Sequence, residues 1–455
     1  MNSEPSKTLF FALALADRRS PVIIYPDKLV TVGDLLVSAM LLADRLPKTE
    51  HIFNLCRSRH HFMVVFMACL LTKKVMVLPA NEAPESLFLL SEKLDNDVVC
   101  LVDDALNIDL PTFVFPVDLL SDNAPFINAM PMIDGKQIAV YLLTSGSTGS
   151  PSIQVKTWQE LVLGARVANQ FLPFESNDFC LVSTVPSQHM YGLETGILWV
   201  MHNDCSVWND KPFYPSDVQQ TLEHIPQSKI LVSTPYHLNN MVASSCVMPK
   251  VDYVVCATAP LSRASAEGIE RYFSTKVKEV YGSSETGMIA TRETASIDYW
   301  QLLNSMKLSV TTEGALVSGG HLLSSAMITD KLEAMNEIEF RFLGRNADLI
   351  KVAGKRTSIN YLNQLVMQID GVSDACFFMP DNGDEEQKIM RLCLFVVSSN
   401  LSKSILISQL KQKIDAVFLP RPIIFVEKLP RNETGKLPRL ALEQLFYRYA
   451  ETQHE

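Results

Sequence analysis

The sequence predicts an α/β fold: a large N-terminal core of mixed sheets with flanking helices, followed by a smaller α+β domain. Three observations predict it. Of 455 residues, 47% are apolar and 20% charged, a globular composition on a chain too long for one ordinary core. Short Val/Ile/Leu runs without polar alternation recur ahead of helix-like segments, as expected of parallel strands covered on both faces. The charge balance changes near residue 344. From Gly344 onward 15 basic residues meet 13 acidic ones, whereas the preceding chain carries 25 against 37.

The elements follow in order. "LFFALALA" (Leu9–Ala16) reads as a first amphipathic helix. It is not read as a secretory leader, because Glu4 spoils a basic start and "DRRS" stands where a cleavage site would be. "PVIIYPDKLVTVGDLL" reads as a strand, a turn and a helix capped by Thr31. The longest apolar run, "FMVVFMACLL" (Phe62–Leu71), covers only about half a membrane span, so a cytoplasmic protein without a span is expected. "KKVMVLPA", "DVVCLVDD" and "KQIAVYLLTS" read as short buried strands, and "WQELVLGARVANQFL" as a helix. "KILVSTPYHLNNMVA" and "VDYVVCATAPLSRASAEGIERYF" each repeat strand, loop, helix. "EIEFRFLGR" closes the core as a strand. The signals after it suffice for a small domain, so the expected division is 1–343 and 344–455.

Composition excludes some function classes. A net charge of −10 argues against a general nucleic-acid binder, which needs a basic surface. Nine scattered cysteines without a CxxC pair point to buried reduced thiols, not to a disulfide frame or a zinc site.

Four segments carry chemistry. Thr144, Ser145, Gly146, Ser147, Thr148 and Gly149 follow a strand and precede a helix. Bare N–H groups and hydroxyls in such a loop can wrap a polyphosphate, although a surface loop would look similar. The Gly-Lys-Ser/Thr ending of a Walker A motif is absent. In "YGSSETG", Glu285 stands among small residues at a strand end, where its carboxylate can hold Mg²⁺. Asp330 precedes Arg345 by 15 positions and can accept from ribose hydroxyls. In "LPRNETGKLPR", Gly435 lets backbone approach closely and Lys436 supplies a point charge.

These segments, in this order, resemble the motifs of the adenylate-forming superfamily of acyl-CoA synthetases, adenylation domains and luciferases. "LLTSGSTGSP" is similar to its phosphate loop, "YGSSETG" to its Mg/AMP motif and "TD" at 329–330 to its ribose motif. "GRNADLIKVAGKR" is similar to its hinge and thiol-step segment, and "LPRNETGKLPR" to its catalytic-lysine motif. A narrower resemblance is to short stand-alone AMP-ligases of aryl polyene and xanthomonadin-type pigment pathways, through "PSQHMYGLE", "AGKRTSINYLN" and "FLPRPIIFVEKLPRNETGKLPR".

The resemblance implies ATP and Mg²⁺ as cofactors and a mobile C-terminal domain. It implies a small carboxylic acid as substrate, hydroxybenzoate in type, and a thiol on an acyl carrier protein or CoA as acceptor. Nucleotide contacts would come from Thr144–Gly149, Ala257, Thr258, Ala259 and Pro260, from Tyr281, Gly282, Ser283, Ser284 and Thr286, and from Asp330 and Arg345. Lys436, Glu285 and Thr144 would be catalytic, and Glu285 the metal ligand. His189, Tyr191 and Gly192 would gate the acyl pocket; Gly354, Lys355 and Arg356 would line a thiol tunnel.

Two positions depart from the family pattern. Ser152, Ile153 and Gln154 follow Pro151 where a lysine is usual, and Lys156 is the nearest candidate to replace it. Ala347 stands at the hinge, with Asp348 after it. The alternatives are a synthetase for medium- or long-chain fatty acids, and an adenylate-binding protein with impaired thiolation.

Overall fold

The computed structural model describes residues 9–14, 21–79, 82–106, 108–119, 129–144, 152–174, 178–311, 314–345, 349–352, 355–380, 392–432 and 435–451. The chain packs as two compact units. The first comprises 1–308, 317–326 and 337–339; the second comprises 309–316, 327–336 and 340–455.

Two sheets organise the first unit. One runs, edge to edge, through strands Ser152–Thr157, Ile138–Thr144, Val75–Leu78, His51–Asn54, Val98–Val102 and Thr112–Val114. Its first strand is antiparallel and the others are parallel. The second sheet places Pro21–Ile24, Cys205–Trp208, Phe179–Ser183, Ser228–Ser233, Tyr253–Cys256 and Val277–Ser283 side by side in parallel. Strand Leu29–Thr31 borders one edge. Antiparallel strands Gly287–Arg292 and Trp300–Leu302 continue the other. The unbroken apolar runs of the sequence are these parallel strands, buried on both faces.

Local chemistry explains the helix starts. Thr31 caps helix Val32–Ala43 through a reciprocal box with Asp34, and Thr157 caps helix Trp158–Arg166 in the same way with Glu160. The latter helix tightens into a 3₁₀ turn at Val167–Gln170 and does not run on to Leu172. The apolar run at Phe62–Leu71 lies within helix Arg59–Thr72, almost wholly buried. Among the described residues no helix is long and apolar enough to cross a membrane. The nine cysteines form no disulfide; eight are buried and Cys246 is half-buried.

The N-terminal expectation fails. Phe10–Ala12 is a strand paired antiparallel with Met132–Asp134, not part of a helix; Leu15 and Ala16 lie outside the described residues. Tertiary partners override the helical pattern. The Leu13 N–H donates to the Pro131 carbonyl, and the Trp158 indole N–H donates to Phe11 O.

The second unit pairs Asp330–Ala334 against the strand that ends at Arg345. It continues with a hairpin of Leu349–Val352 and Lys355–Ser358, and a three-stranded sheet of Asp374–Phe378, Cys393–Val397 and Ile423–Phe425. Helices Ile359–Val366 and Lys403–Lys413 contribute to the core on one face of that sheet, and helix Arg439–Glu451 to the core on the other.

One buried side chain ties the first unit together. The Arg59 guanidinium, 2% exposed, donates to the carbonyls of Trp208, Asn209, Asp210, Ser183 and Val185 at 2.7–3.4 Å. It fastens a helix associated with the first sheet to two strand ends of the second. Arg59→Met keeps bulk but leaves those carbonyls short of donors, at about 1–3 kcal/mol for each one left unsatisfied. A thermal or denaturant midpoint should show a loss of more than about 3 kcal/mol; an unchanged midpoint would contradict this account.

Candidate functional site

Ligands of open α/β sheets sit beyond the carboxyl ends of the parallel strands. Two neighbouring strands, Tyr253–Cys256 and Val277–Ser283, end there in the segments singled out from sequence. The first runs into Ala257, Thr258, Ala259 and Pro260. Thr258 takes φ +83°, a costly conformation for a β-branched residue that marks functional strain. Its hydroxyl oxygen is buried and has no hydrogen-bond partner among the described residues. An orphaned oxygen on a strained loop is what a nucleotide site leaves open for its ligand. Glu279 fixes the loop from the next strand: one carboxylate oxygen accepts the Leu261 N–H at 3.1 Å, and the other meets Arg292 and Thr294.

The second strand runs into the Ser283–Gly287 turn. Ser283 and Thr286 grip each other reciprocally, each hydroxyl accepting the other's N–H. The Thr286 hydroxyl also donates to Gly287 O at 2.8 Å and is fully buried. Thr286 therefore builds the turn, whereas Ser284 and Glu285 are its half-buried outward members. A carboxylate oxygen there suits a hard cation such as Mg²⁺. Tyr281 packs on Trp300 with ring centres 5.3 Å apart, and Arg292 lies 4.3 Å over the Trp300 ring. Gly282 passes so close to Gly287 that a Cβ would sit 2.1 Å from the Gly287 carbonyl oxygen.

Lys156 reaches the same turn. It is 4% exposed, and its ammonium donates to the Glu285 carbonyl at 2.5 Å. The ammonium thus bonds the turn that carries Glu285. A small cavity opens beside it, lined by Lys156, Glu160, Met190, Glu194, Thr286 and His321, among others. Glu194 and His321 carried no signal strong enough to single them out. The only hint was one acidic residue in the otherwise apolar "MYGLETGILWVM". Glu194 begins a π-turn, Glu194–Leu198, inside the helical stretch from Met190 to His202. Such turns recur at functional sites.

The residues expected to gate an acyl pocket lie just before and within this stretch. His189 is the residue before the helix, and the Tyr191 hydroxyl is spent on the Val255 carbonyl at 3.0 Å. A side chain at Gly192 would strike the Pro186 carbonyl at 2.0 Å.

In the second unit, Asp330 and Arg345 are directly paired across their ladder. Lys436 is exposed, on a backbone pinned by Asn432 through both its N–H and its carbonyl, each at 2.8 Å. Arg431 braces the turn, bonding the Gly435 carbonyl and, bidentately, Asp374. Thr144, Lys355 and Arg356 lie on strands. Ser145, Gly146, Ser147, Thr148 and Gly149 lie outside the described residues, as do Ala347, Asp348 and Gly354.

Comparison with known proteins adds the following. A model of the family described as "AMP-binding enzyme" matches residues 35–317. A 4-coumarate–CoA ligase of Halorhodospira halophila is 24% identical over 65% of this chain and 73% of its own. A 3,4-dihydroxybenzoate–[aryl-carrier protein] ligase of Bacillus anthracis is 22% identical over 66% and 72%. The o-succinylbenzoate coenzyme A synthetase of Bacillus subtilis, solved with ATP and a magnesium ion, superposes with a TM-score of 0.77. It covers 92% of this chain and 96% of its own at 19% identity, a likeness of fold.

Burial pushes the Glu194 carboxyl up to about 7, although the Met288 N–H and Lys156 pull it down. A carboxyl raised on folding holds a proton that the unfolded chain has released. Its stabilising contribution is therefore complete below about 4.5 and is lost as pH rises through about 7. Glu194→Gln keeps an oxygen for the Met288 N–H and removes the titration. The variant's stability should gain on wild type by on the order of 2–3 kcal/mol between pH 4.5 and 8. Thermal midpoints across that range read the change; a difference that stays constant with pH would contradict it.

Proposed function

The chain belongs to the AMP-binding enzyme family, and from that premise we propose that it loads a hydroxybenzoate-type acid onto the pantetheine thiol of an acyl carrier protein. The coarser activity, ATP-dependent AMP-forming ligation of an acid to a thiol, is that of its ligase relatives and of the chain itself. The observation that carries the nucleotide half is the pair of adjoining strand ends. One presents an orphaned Thr258 hydroxyl and the other a half-buried Glu285 on a locked turn.

A carboxylate is a poor acyl donor because oxide is a poor leaving group. In the first step a carboxylate oxygen attacks the α-phosphorus of ATP, the bond to the bridging oxygen breaks, and pyrophosphate leaves. In the second, a thiolate attacks the acyl carbon and AMP leaves with the carboxylate oxygen. Two anions must meet in the first step, so preorganised positive charge is the main requirement. Glu285 would hold Mg²⁺, which when bound screens the phosphate charge. Thr144–Gly149 would hold the β- and γ-phosphates. Ala257–Pro260 would hold the base, and the paired Asp330 and Arg345 the ribose.

Lys436, exposed on its pinned turn, would bridge the carboxylate and the α-phosphate in the first step only. Residues 344–455 would then act as a mobile domain that withdraws Lys436 and brings Gly354–Arg356 to the thiol. Glu285 and Ala257–Pro260 in the core 1–343 would keep hold of the nucleotide. His189 and the flat face of Tyr191 suit an aromatic ring. An aryl substrate is also named for the Bacillus anthracis relative. A cytoplasmic location fits this chemistry, because ATP and carrier proteins are found there.

Acid-dependent exchange of labelled pyrophosphate into ATP tests the first half-reaction across an acid panel. Hydroxybenzoates should lead; decanoate ahead of every benzoate by about tenfold in kcat/KM would replace the aromatic reading with the fatty-acid one. CoA acylated as efficiently as every phosphopantetheinylated carrier tested would overturn the carrier assignment.

Lys436→Ala should lose exchange by roughly 10²–10³-fold, as for one transition-state donor. It should still convert supplied acyl-AMP to thioester. Equal loss in both half-reactions would contradict its confinement to the first.

A further inference from the structure

Three side chains from three distant parts of the chain hold backbone groups of one turn and of the strand that leaves it. Lys156, on strand Ser152–Thr157, donates to the Glu285 carbonyl at 2.5 Å. His321, just after strand Ala315–Gly319, donates from Nε2 to the Thr286 carbonyl at 2.6 Å. Glu194, in the π-turn, accepts the Met288 N–H at 3.0 Å. All three lie within the first unit and are 4–6% exposed.

We propose that Lys156, His321 and Glu194 form a buried clamp on the 285–288 backbone that aims the Glu285 carboxylate, making all three positioning residues for its metal. The reading rests on the nucleotide role of this turn argued above. Each clamp member is matched to its group. A carbonyl only accepts, so His321 carries its proton on Nε2, and burial holds the ring in its neutral form. The Met288 amide only donates, and a carboxylate oxygen meets it. Gly287 stands between, at φ +65°, and a Cβ on it would lie 2.7 Å from the Glu194 oxygen. Only glycine admits both the left-handed turn and that approach.

Burying an ammonium is costly. A surface turn held by its own Ser283–Thr286 bonds does not need one. The arrangement is explained if the Glu285 carbonyl and carboxylate, which belong to one residue, must be fixed to a fraction of an ångström. A shift of about 1 Å costs a reaction about 100-fold.

The test compares wild type with Lys156→Met, His321→Leu and His321→Gln. The last keeps an amide N–H near the place of Nε2. Hydrogen–deuterium exchange of the peptide spanning 281–290 is read on the protein without ligands, and titration calorimetry reads MgATP binding. Pyrophosphate exchange gives kcat, the Mg²⁺ half-saturation and the KM for acid. Lys156→Met and His321→Leu should exchange faster across 281–290, need several-fold more Mg²⁺ and lose about 10- to 100-fold in kcat. The KM for acid should stay within about twofold, and His321→Gln should behave like wild type. Unchanged exchange and unchanged Mg²⁺ dependence would overturn the clamp. So would a raised KM for MgATP with unchanged exchange, which would mean that Lys156 acts on the phosphates. If Lys156→Met does not fold, the His321 pair decides. If wild type shows no acid-dependent activity, the proposed function fails, and hydrogen exchange in the variants still decides the clamp.

Discussion

Lys156 holds its ammonium out of water against a single backbone carbonyl, that of Glu285. Burial alone would pull such a group toward neutrality, and the surrounding carboxylates of Glu160, Glu194 and Glu285 oppose that pull. The site is thus built as a balance of buried charges around a turn, not as a surface loop with charges attached. Remove the lysine and the Glu285 carbonyl loses a charged donor, while Glu194 loses a cation that favours its ionised form. The π-turn presents Glu194 to the same turn, and Gly287 leaves room for its carboxylate.

The larger scaffold serves that turn. Parallel strands 253–256 and 277–283 bring the Thr258 loop and the Glu285 turn to the same carboxyl end of the sheet. Glu279, buried between them, bonds the loop at Leu261 and the neighbouring strand at Arg292. Arg59 performs a comparable service along the same end of the sheet, where it gathers carbonyls at the ends of strands 179–183 and 205–208 and just beyond them. In both places a buried ionisable side chain satisfies backbone groups where strands run out into loops. Those are the points where a sheet stops satisfying its own hydrogen bonds.

Much of this was legible in the sequence. The α/β class, the strands at 21–24, 75–78, 98–102 and 253–256 and the Thr31 cap could be read from apolar runs and turn chemistry. The Glu285 turn could be read because its chemistry lies in one contiguous stretch. Its support could not, because Lys156, Glu194 and His321 are 38 or more positions apart and meet only after folding. The bond from Lys156 to the Glu285 carbonyl was illegible for the same reason, because it joins residues 129 positions apart. Leu9–Ala16 misled differently. Its helical pattern was real, but backbone partners at Pro131–Asp134 claimed its hydrogen bonds.

The central claim is that this scaffold exists to join a carboxylate oxygen to the α-phosphorus of ATP. Following that oxygen tests it most directly. The enzyme is given a preferred acid labelled with ¹⁸O in both carboxylate positions, with ATP and a thiol acceptor, and the nucleotide product is weighed by mass spectrometry. The account predicts one ¹⁸O in AMP and none in pyrophosphate for each thioester made. Label in inorganic phosphate, with ADP as the nucleotide product, would place the attack on the γ-phosphorus and contradict it.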